Sequence, residues 1–267
     1  MPAAVLAHRK LVGNLAKNDF KTKFAGSYLG IIWAFVQPIV TVFVYWFVFE
    51  KALNVGSQST KAGIEVPYVL WLVAGLVPWF YFSDTLNAGT SVLLEYSYLV
   101  KKVVFRINTL PVVKVISGLF VHLFFLGFTL VLYALYGRFP DLYMLQIFYY
   151  SFCMIILVTG LSYATSAMVV FFRDLSQMIS IFLQILVWAT PIMWNIDAVG
   201  FGPKVKFILK LNPMFYVING YRGALINKEW FFSDLKGTLY FWMITLLLYG
   251  FGANIFHKLK THFADVL

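Results

Sequence analysis

The chain has 267 residues, of which 61% are hydrophobic and only 12% charged, with a formal net charge of +10 and one cysteine. A soluble domain carries about 25% charged residues, so this is a membrane-embedded chain with no separately folding aqueous domain. A single cysteine, Cys153, excludes an internal disulfide and a cysteine metal cluster.

Residues 4–24 read as an amphipathic helix. Lys10, Asn14, Lys17 and Lys21 share one face, while Val5, Leu11, Val12, Leu15 and Ala16 cover much of the rest. Such a helix suits the membrane interface, with its lysines toward phosphates. Between Lys23 and Glu50 lie 26 residues without a formal charge. A membrane-crossing helix needs about 20 apolar residues, so a first crossing is expected over 29–49, entered at Gly26 and Gly30 and kinked at Pro38. A polar loop over 50–66 leads to a second crossing over 67–92. Residues 93–108 mix Glu95, Lys101, Lys102 and Arg106 with apolar side chains, as in a short helix outside the bilayer. Further crossings are expected over 110–136, 142–171, 175–195 and 236–256, six in all. Residues 196–234 are too polar and too broken by Gly200, Gly202, Pro203, Pro213 and Gly220 for a clean crossing. Two short helices dipping partly into the membrane fit them, since irregular backbone is tolerated there only under cover of protein or water. The expected fold is an all-α membrane protein, one domain over 1–267.

Basic residues gather on the cytoplasmic side of membrane proteins. With the N-terminus inside, 12 of the 21 basic residues fall on the inner side, although the outer segment 196–236 holds 6 of the others. Six crossings then leave both termini in the cytoplasm. The same rule accounts for the net charge without a nucleic-acid partner. The N-terminus lacks the apolar core of a signal peptide.

No phosphate-binding Gly-Lys motif, His-Glu-x-x-His or Gly-x-Ser-x-Gly occurs. Nothing assembles a nucleophile or acid–base site, so no catalytic or metal-binding residue is expected. His122 reads as a packed hydrogen-bonding residue. Asp84 and Lys114 lie within or near crossings and are functional candidates by default, although Lys114 could snorkel. The abundant aromatic residues fit an interfacial belt; alternatively, Trp33, Trp79, Phe80 and Tyr81 would line a path for sugar rings. The lack of an internal repeat counts against a secondary transporter.

The stretch Phe24-Ala-Gly-Ser-Tyr-Leu-Gly-Ile-Ile-Trp-Ala-Phe-Val-Gln-Pro38 resembles the permease subunits of type-two ABC exporters. Ala74-Gly-Leu-Val-Pro-Trp-Phe80, Tyr98-Leu-Val-Lys-Lys-Val-Val-Phe105, Phe172-Arg-Asp-Leu175, Thr190-Pro-Ile-Met-Trp194, Leu211-Asn-Pro-Met-Phe-Tyr216 and Gly220-Tyr-Arg222 follow in the family's order. Within the family, the chain is most similar to exporters of wall teichoic acid, rhamnose-rich polysaccharide and O-antigen. Many relatives have a proline where this chain has Arg106.

The resemblance implies a bacterial cytoplasmic-membrane permease that pairs with a second copy of itself and with two ATP-binding subunits. ATP and Mg would bind in those partners, leaving this chain without a cofactor. Residues 93–108 would be a coupling helix presenting Glu95, Tyr98, Lys101, Lys102 and Arg106 to the ATPase. Residues 4–24 would be a gate helix, with Lys17, Lys21, Lys23 and Tyr28 beside a lipid pyrophosphate and Leu29-Gly30 forming a turn. Generic attraction to anionic lipid is an equal account of those lysines. Residues 196–228, with Asn212, Pro213, Tyr216, Tyr221 and Arg222, would form outer gate helices. The implied cargo is an undecaprenyl-linked glycopolymer, wall teichoic acid ahead of O-antigen. A drug or lipid exporter, a membrane enzyme and an ion-coupled transporter acting through Asp84 are the rival readings.

Overall fold

A computed structural model describes residues 9–23, 27–59, 63, 65–100 and 107–267. The first helix, α1 (Arg9–Thr22), is followed by a 3-10 turn at Gly30–Ile32 that runs into α2 (Trp33–Trp46) and a π-helical end at Phe47–Ala52. A two-residue antiparallel pair, β1 (Gln58–Ser59) and β2 (Glu65–Val66), sits in the segment expected to be a plain loop. Then come α3 (Tyr68–Glu95), α4 (Ser97–Val100), α5 (Leu110–Leu135), α6 (Gln146–Val169), α7 (Leu175–Ala189), α8 (Pro203–Lys210), α9 (Pro213–Arg222), α10 (Leu235–Leu259) and α11 (Phe263–Val266).

Among the described residues, five helical stretches are long and apolar enough to cross a bilayer: Gly30–Ala52, Tyr68–Glu95, Ile107–Leu135, Leu142–Val169 and Phe231–His262. Their burial sorts them. The most apolar part of α3 is 78% buried against 17% for that of α2, so α3 is the central post and α2 an outer helix. This follows from composition: α3 has apolar residues on every side, and such a helix is covered all round. α3 packs on α5, α6 and α9, while α10 lies along α6. Small residues set the last contact. A side chain at Gly252 would collide with the Gly160 carbonyl, and one at Gly160 would lie 2.7 Å from the Tyr249 Cα. Without Cβ atoms the two backbones touch, as membrane helices do where small residues face each other.

The fifth expected crossing is shorter than its uncharged run. α7 has 15 residues and is therefore about 22 Å long, under the roughly 30 Å of a hydrocarbon core. It stops because Pro191 disfavours helical geometry at the preceding residue, and Thr190 is extended at φ −85°, ψ 132°. α7 nevertheless carries the chain from the end of α6 to the opposite end of the bundle, where Asn212 at the start of α9 donates to the Thr190 hydroxyl at 2.8 Å.

The bundle thus has two ends. One holds α1, the end of α3, the start of α5 and the C-terminus: Tyr163 reaches the Asn108 carbonyl at 3.1 Å, and Phe263 packs on Phe171 and Phe256. The other holds the β pair, the starts of α3, α6 and α10, and both α8 and α9. The two short helices expected within 196–228 are present. Each begins with proline at its first position, where no N–H is needed, and the Asn212 side chain accepts from the Met214 N–H at 3.0 Å.

Candidate functional site

At the first end, α1 is fastened to the bundle by charge. Val12 and Ala16 bury their side chains against Val113. Asp19 continues that face at helical spacing and is only 5% exposed. Its carboxylate accepts from Lys114 Nζ at 2.7 Å and from the Tyr96 hydroxyl at 2.7 Å. Lys114 also donates to Glu95 at 2.6 Å. One ammonium thus joins α1, α5 and the last residue of α3. Burial, and then the Asp19 carboxylate, push the pKa of Tyr96 upward, which keeps its hydroxyl protonated as the donor. The two ion pairs differ in worth. Asp19 is buried, so stripping it of its lysine costs about 3–5 kcal/mol. Glu95 is 48% exposed, and such a pair contributes about 0–1 kcal/mol.

Beside this knot lies a cavity of about 400 Å³ between α1, α3 and α5, lined by Lys23, Asp84, Thr85, Glu95, Lys114 and Ser117 among others. A second pocket of about 30 Å³, room for a water or two, continues inward past Asp84 to Phe80, Tyr81 and His122, with Pro38 of α2 on its wall. Lys23 and Asp84 border both.

Of the residues expected on the gate helix, only Lys23 reaches this cavity. Lys17 and Lys21 are exposed on the outer face of α1, and Tyr28 and Leu29 are exposed beyond it. Gly30 adopts φ +52°, a left-handed geometry that glycine takes without strain, so the expected Leu-Gly turn is a real corner. In the expected coupling segment, Tyr98 is 58% exposed on α4. Glu95 is turned inward to Lys114. Lys101, Lys102 and Arg106 lie outside the described residues.

At the opposite end, α9 is seated in the bundle rather than lying on it. Arg222 is 3% exposed and donates to the carbonyls of Pro191 at 2.7 Å and Ile192 at 2.6 Å. Its guanidinium stacks 3.8 Å over Trp71. Tyr68 adds a bond to the Met193 carbonyl at 2.8 Å. Tyr221 joins Ser151 at 2.7 Å and His122 at 3.1 Å, so His122 is the packed polar residue expected. Tyr216 bonds to Tyr149 at 3.2 Å and Thr238 at 2.9 Å. Asn212 and Pro213 are the cap and first turn. Of the five residues expected at an outer gate, Asn212, Tyr216, Tyr221 and Arg222 tie α9 to α3, α5, α6, α10 and the end of α7.

The four aromatic residues expected along a sugar path do not share one wall within the chain. Trp79 and Tyr81 are buried, Tyr81 beside His122 with its hydroxyl on the Val115 carbonyl. Phe80 borders the small pocket, and Trp33 is exposed on α2.

The sequence pattern of the ABC-2 type transporters matches residues 10–226, from α1 to the far end of α9. The chain belongs to the ABC-2 type transporter family. Members of this family are transmembrane subunits, and five long apolar helices agree with that role. The ABC-2 protein named O-antigen export system permease protein RfbA in Klebsiella pneumoniae is 26% identical over 255 residues, covering 95% of this chain and 93% of its own. Its namesake in Myxococcus xanthus is 25% identical over 258 residues, covering 97% and 95%. The match is thus end to end.

The sequence did not draw attention to Asp19 or Tyr96. A signal existed for Asp19: it continues the 12–16 apolar stripe of a helix whose other charges are all basic, and a carboxylate on a buried face requires a cation opposite.

Proposed function

We propose that this chain is the membrane subunit of an ATP-driven exporter that moves an undecaprenyl-diphosphate-linked polysaccharide across the bacterial cytoplasmic membrane. The end-to-end relationship to O-antigen export permeases carries the reading. Wall teichoic acid, expected first from the sequence, has no support from these relatives, so our reading takes an O-antigen-type glycan as the cargo. ATP and Mg are held by separate ATP-binding subunits, which seat against the segment following Glu95.

In this reading α7 is a sixth, short crossing, both termini lie in the cytoplasm, and two copies of the chain pair. α2 and α7 support the pairing. They meet at Tyr45 and Trp188, 6.4 Å between rings, and both leave large apolar side chains exposed, Val40 and Phe43 on α2, Phe47 just after it, and Ile181, Phe182 and Ile185 on α7. The basic face of α1 and Lys23 meet the anionic lipid headgroup. Coulomb attraction between an ammonium and a phosphate at 4 Å is worth about 4 kcal/mol at an effective dielectric of 20 before desolvation.

The test is reconstitution with the cognate ATPase in proteoliposomes loaded with lipid-linked O-antigen. ATP-dependent appearance of glycan on the far side is expected, together with faster ATP hydrolysis when the glycan is present. A complex stimulated by small drugs and indifferent to any lipid-linked glycan refutes it.

A further inference from the structure

The knot at Lys114 holds α1 by two routes that both start from the α3–α4 junction. Glu95, the last residue of α3, holds Lys114 at 2.6 Å, and Lys114 holds Asp19 at 2.7 Å. Tyr96, the next residue, donates directly to the same Asp19 oxygen at 2.7 Å, and its ring lies 5.4 Å from the Lys114 ammonium. Apolar contacts also seat α1, Val12 and Ala16 on Val113 and the Phe20 ring 5.3 Å from that of Phe120. Asp19 is the charged hold on its C-terminal turn. That turn carries Lys23, which borders the cavity together with Asp84.

We propose that Asp19, Tyr96 and Lys114 form the transmission by which displacement of the α3–α4 junction repositions α1, making them positioning residues for transport rather than contacts to cargo. The links are graded. Lys114–Asp19 is buried on both sides, at 9% and 6% side-chain exposure, whereas Glu95 is 48% exposed. Breaking the first strands a carboxylate and an ammonium away from water; Glu95 hands its charge to solvent at little cost. When the junction moves, exposed Glu95 lets go of Lys114 first, and the Tyr96 hydroxyl carries the displacement to Asp19 and α1. Asp19 is thus held by two groups, Lys114 on α5 and Tyr96 at the junction, and only the second moves with the junction. The proposal rests on the reading above, in which the segment after Glu95 receives the ATPase stroke.

The experiment uses the complex with its ATPase in proteoliposomes bearing undecaprenyl-diphosphate-linked O-antigen, and two variants, Tyr96→Phe and Asp19→Asn. Both are near-isosteric. Each is expected to lower export per ATP hydrolysed at least about fivefold, the low end of coupling between distant sites. A second readout is thiol labelling of Lys17→Cys in a Cys153→Ser background. Its rate should change with a non-hydrolysable ATP analogue in the parent and stop changing when Tyr96→Phe is added. Unchanged export per ATP with labelling that still responds in Tyr96→Phe overturns the proposal, and Tyr96→Phe decides alone if Asp19→Asn does not assemble. A parent complex that exports no glycan refutes the functional reading instead, and the labelling, which needs only nucleotide, still decides the transmission.

Discussion

Arg222→Met separates a structural anchor from an idle buried charge. The guanidinium closes the carbonyls of Pro191 and Ile192, which the break after α7 leaves without helical donors, and it covers Trp71 at 3.8 Å. A methionine of similar length fills the space and donates nothing. Each buried carbonyl left unpaired costs about 1–3 kcal/mol, and the lost stacking of a desolvated cation on tryptophan about 2 kcal/mol. Against this stands the relief of no longer burying a cation that has no carboxylate among its described partners, which costs several kcal/mol. A net loss of about 3 kcal/mol is expected, a fall of about 6–12 °C in the unfolding midpoint for a chain of this size. Arg222→Lys should fall between, because one ammonium cannot reproduce a planar fork aimed at two carbonyls. Thermal unfolding of the purified protein in detergent reads the order Arg, Lys, Met. Trypsin cleavage at Lys204 and Lys206 should quicken in the same order as the Thr190 turn loosens. An Arg222→Met protein as heat-resistant as the parent would refute the reasoning, since the carbonyls would then need no fixed donor.

Gly252→Ala drives a methyl into the Gly160 carbonyl and should cost about 1–3 kcal/mol by overpacking, whereas Gly250→Ala meets nothing within 4 Å and should be neutral or stabilising by up to about 1 kcal/mol; paired melting curves compare them. Gly220→Ala collides with the Tyr150 ring and should destabilise by a similar amount, about 1–3 kcal/mol, with partial rescue by Tyr150→Leu. Tyr221→Phe removes the hydroxyl shared by Ser151 and His122, which keep their own 3.3 Å contact, and should cost about 0.5–1.5 kcal/mol with no change in membrane insertion, checked by unfolding of the solubilised protein. Gly30→Ala, at φ +52° with open space around it, should cost about 1–2 kcal/mol from backbone strain alone, and Gly30→Asn less; a larger loss would show that the corner touches something.

The long helices were legible because charge is excluded from a lipid interior. The uncharged runs located α2, α3, α5, α6 and α10 to within a few residues at most ends. The same signal overstated α7, since absence of charge says nothing about where proline breaks the backbone, and Pro191 decided that end. The seat of α9 was hidden. Arg222 was expected at an outer gate through the resemblance alone, and its partners are carbonyls 30 and 31 positions away. A backbone oxygen has no residue letter by which to anticipate it. The aromatic residues were read as belt or path from composition alone. The fold instead spends Trp79 and Tyr81 on internal packing, because α3 is covered on all sides.

The contact between α6 and α10 has a mechanical corollary. Two shafts whose main chains bite into each other at Gly160 and Gly252 cannot roll or slip past one another without first separating. Together with the enclosed α3 they form a rigid mast. Any rearrangement falls to the elements around it, the half-uncovered α2 and α7 on one flank and α1, pinned at the foot by its ion pair, and labels placed on the mast should keep their mutual distances while those on these elements change.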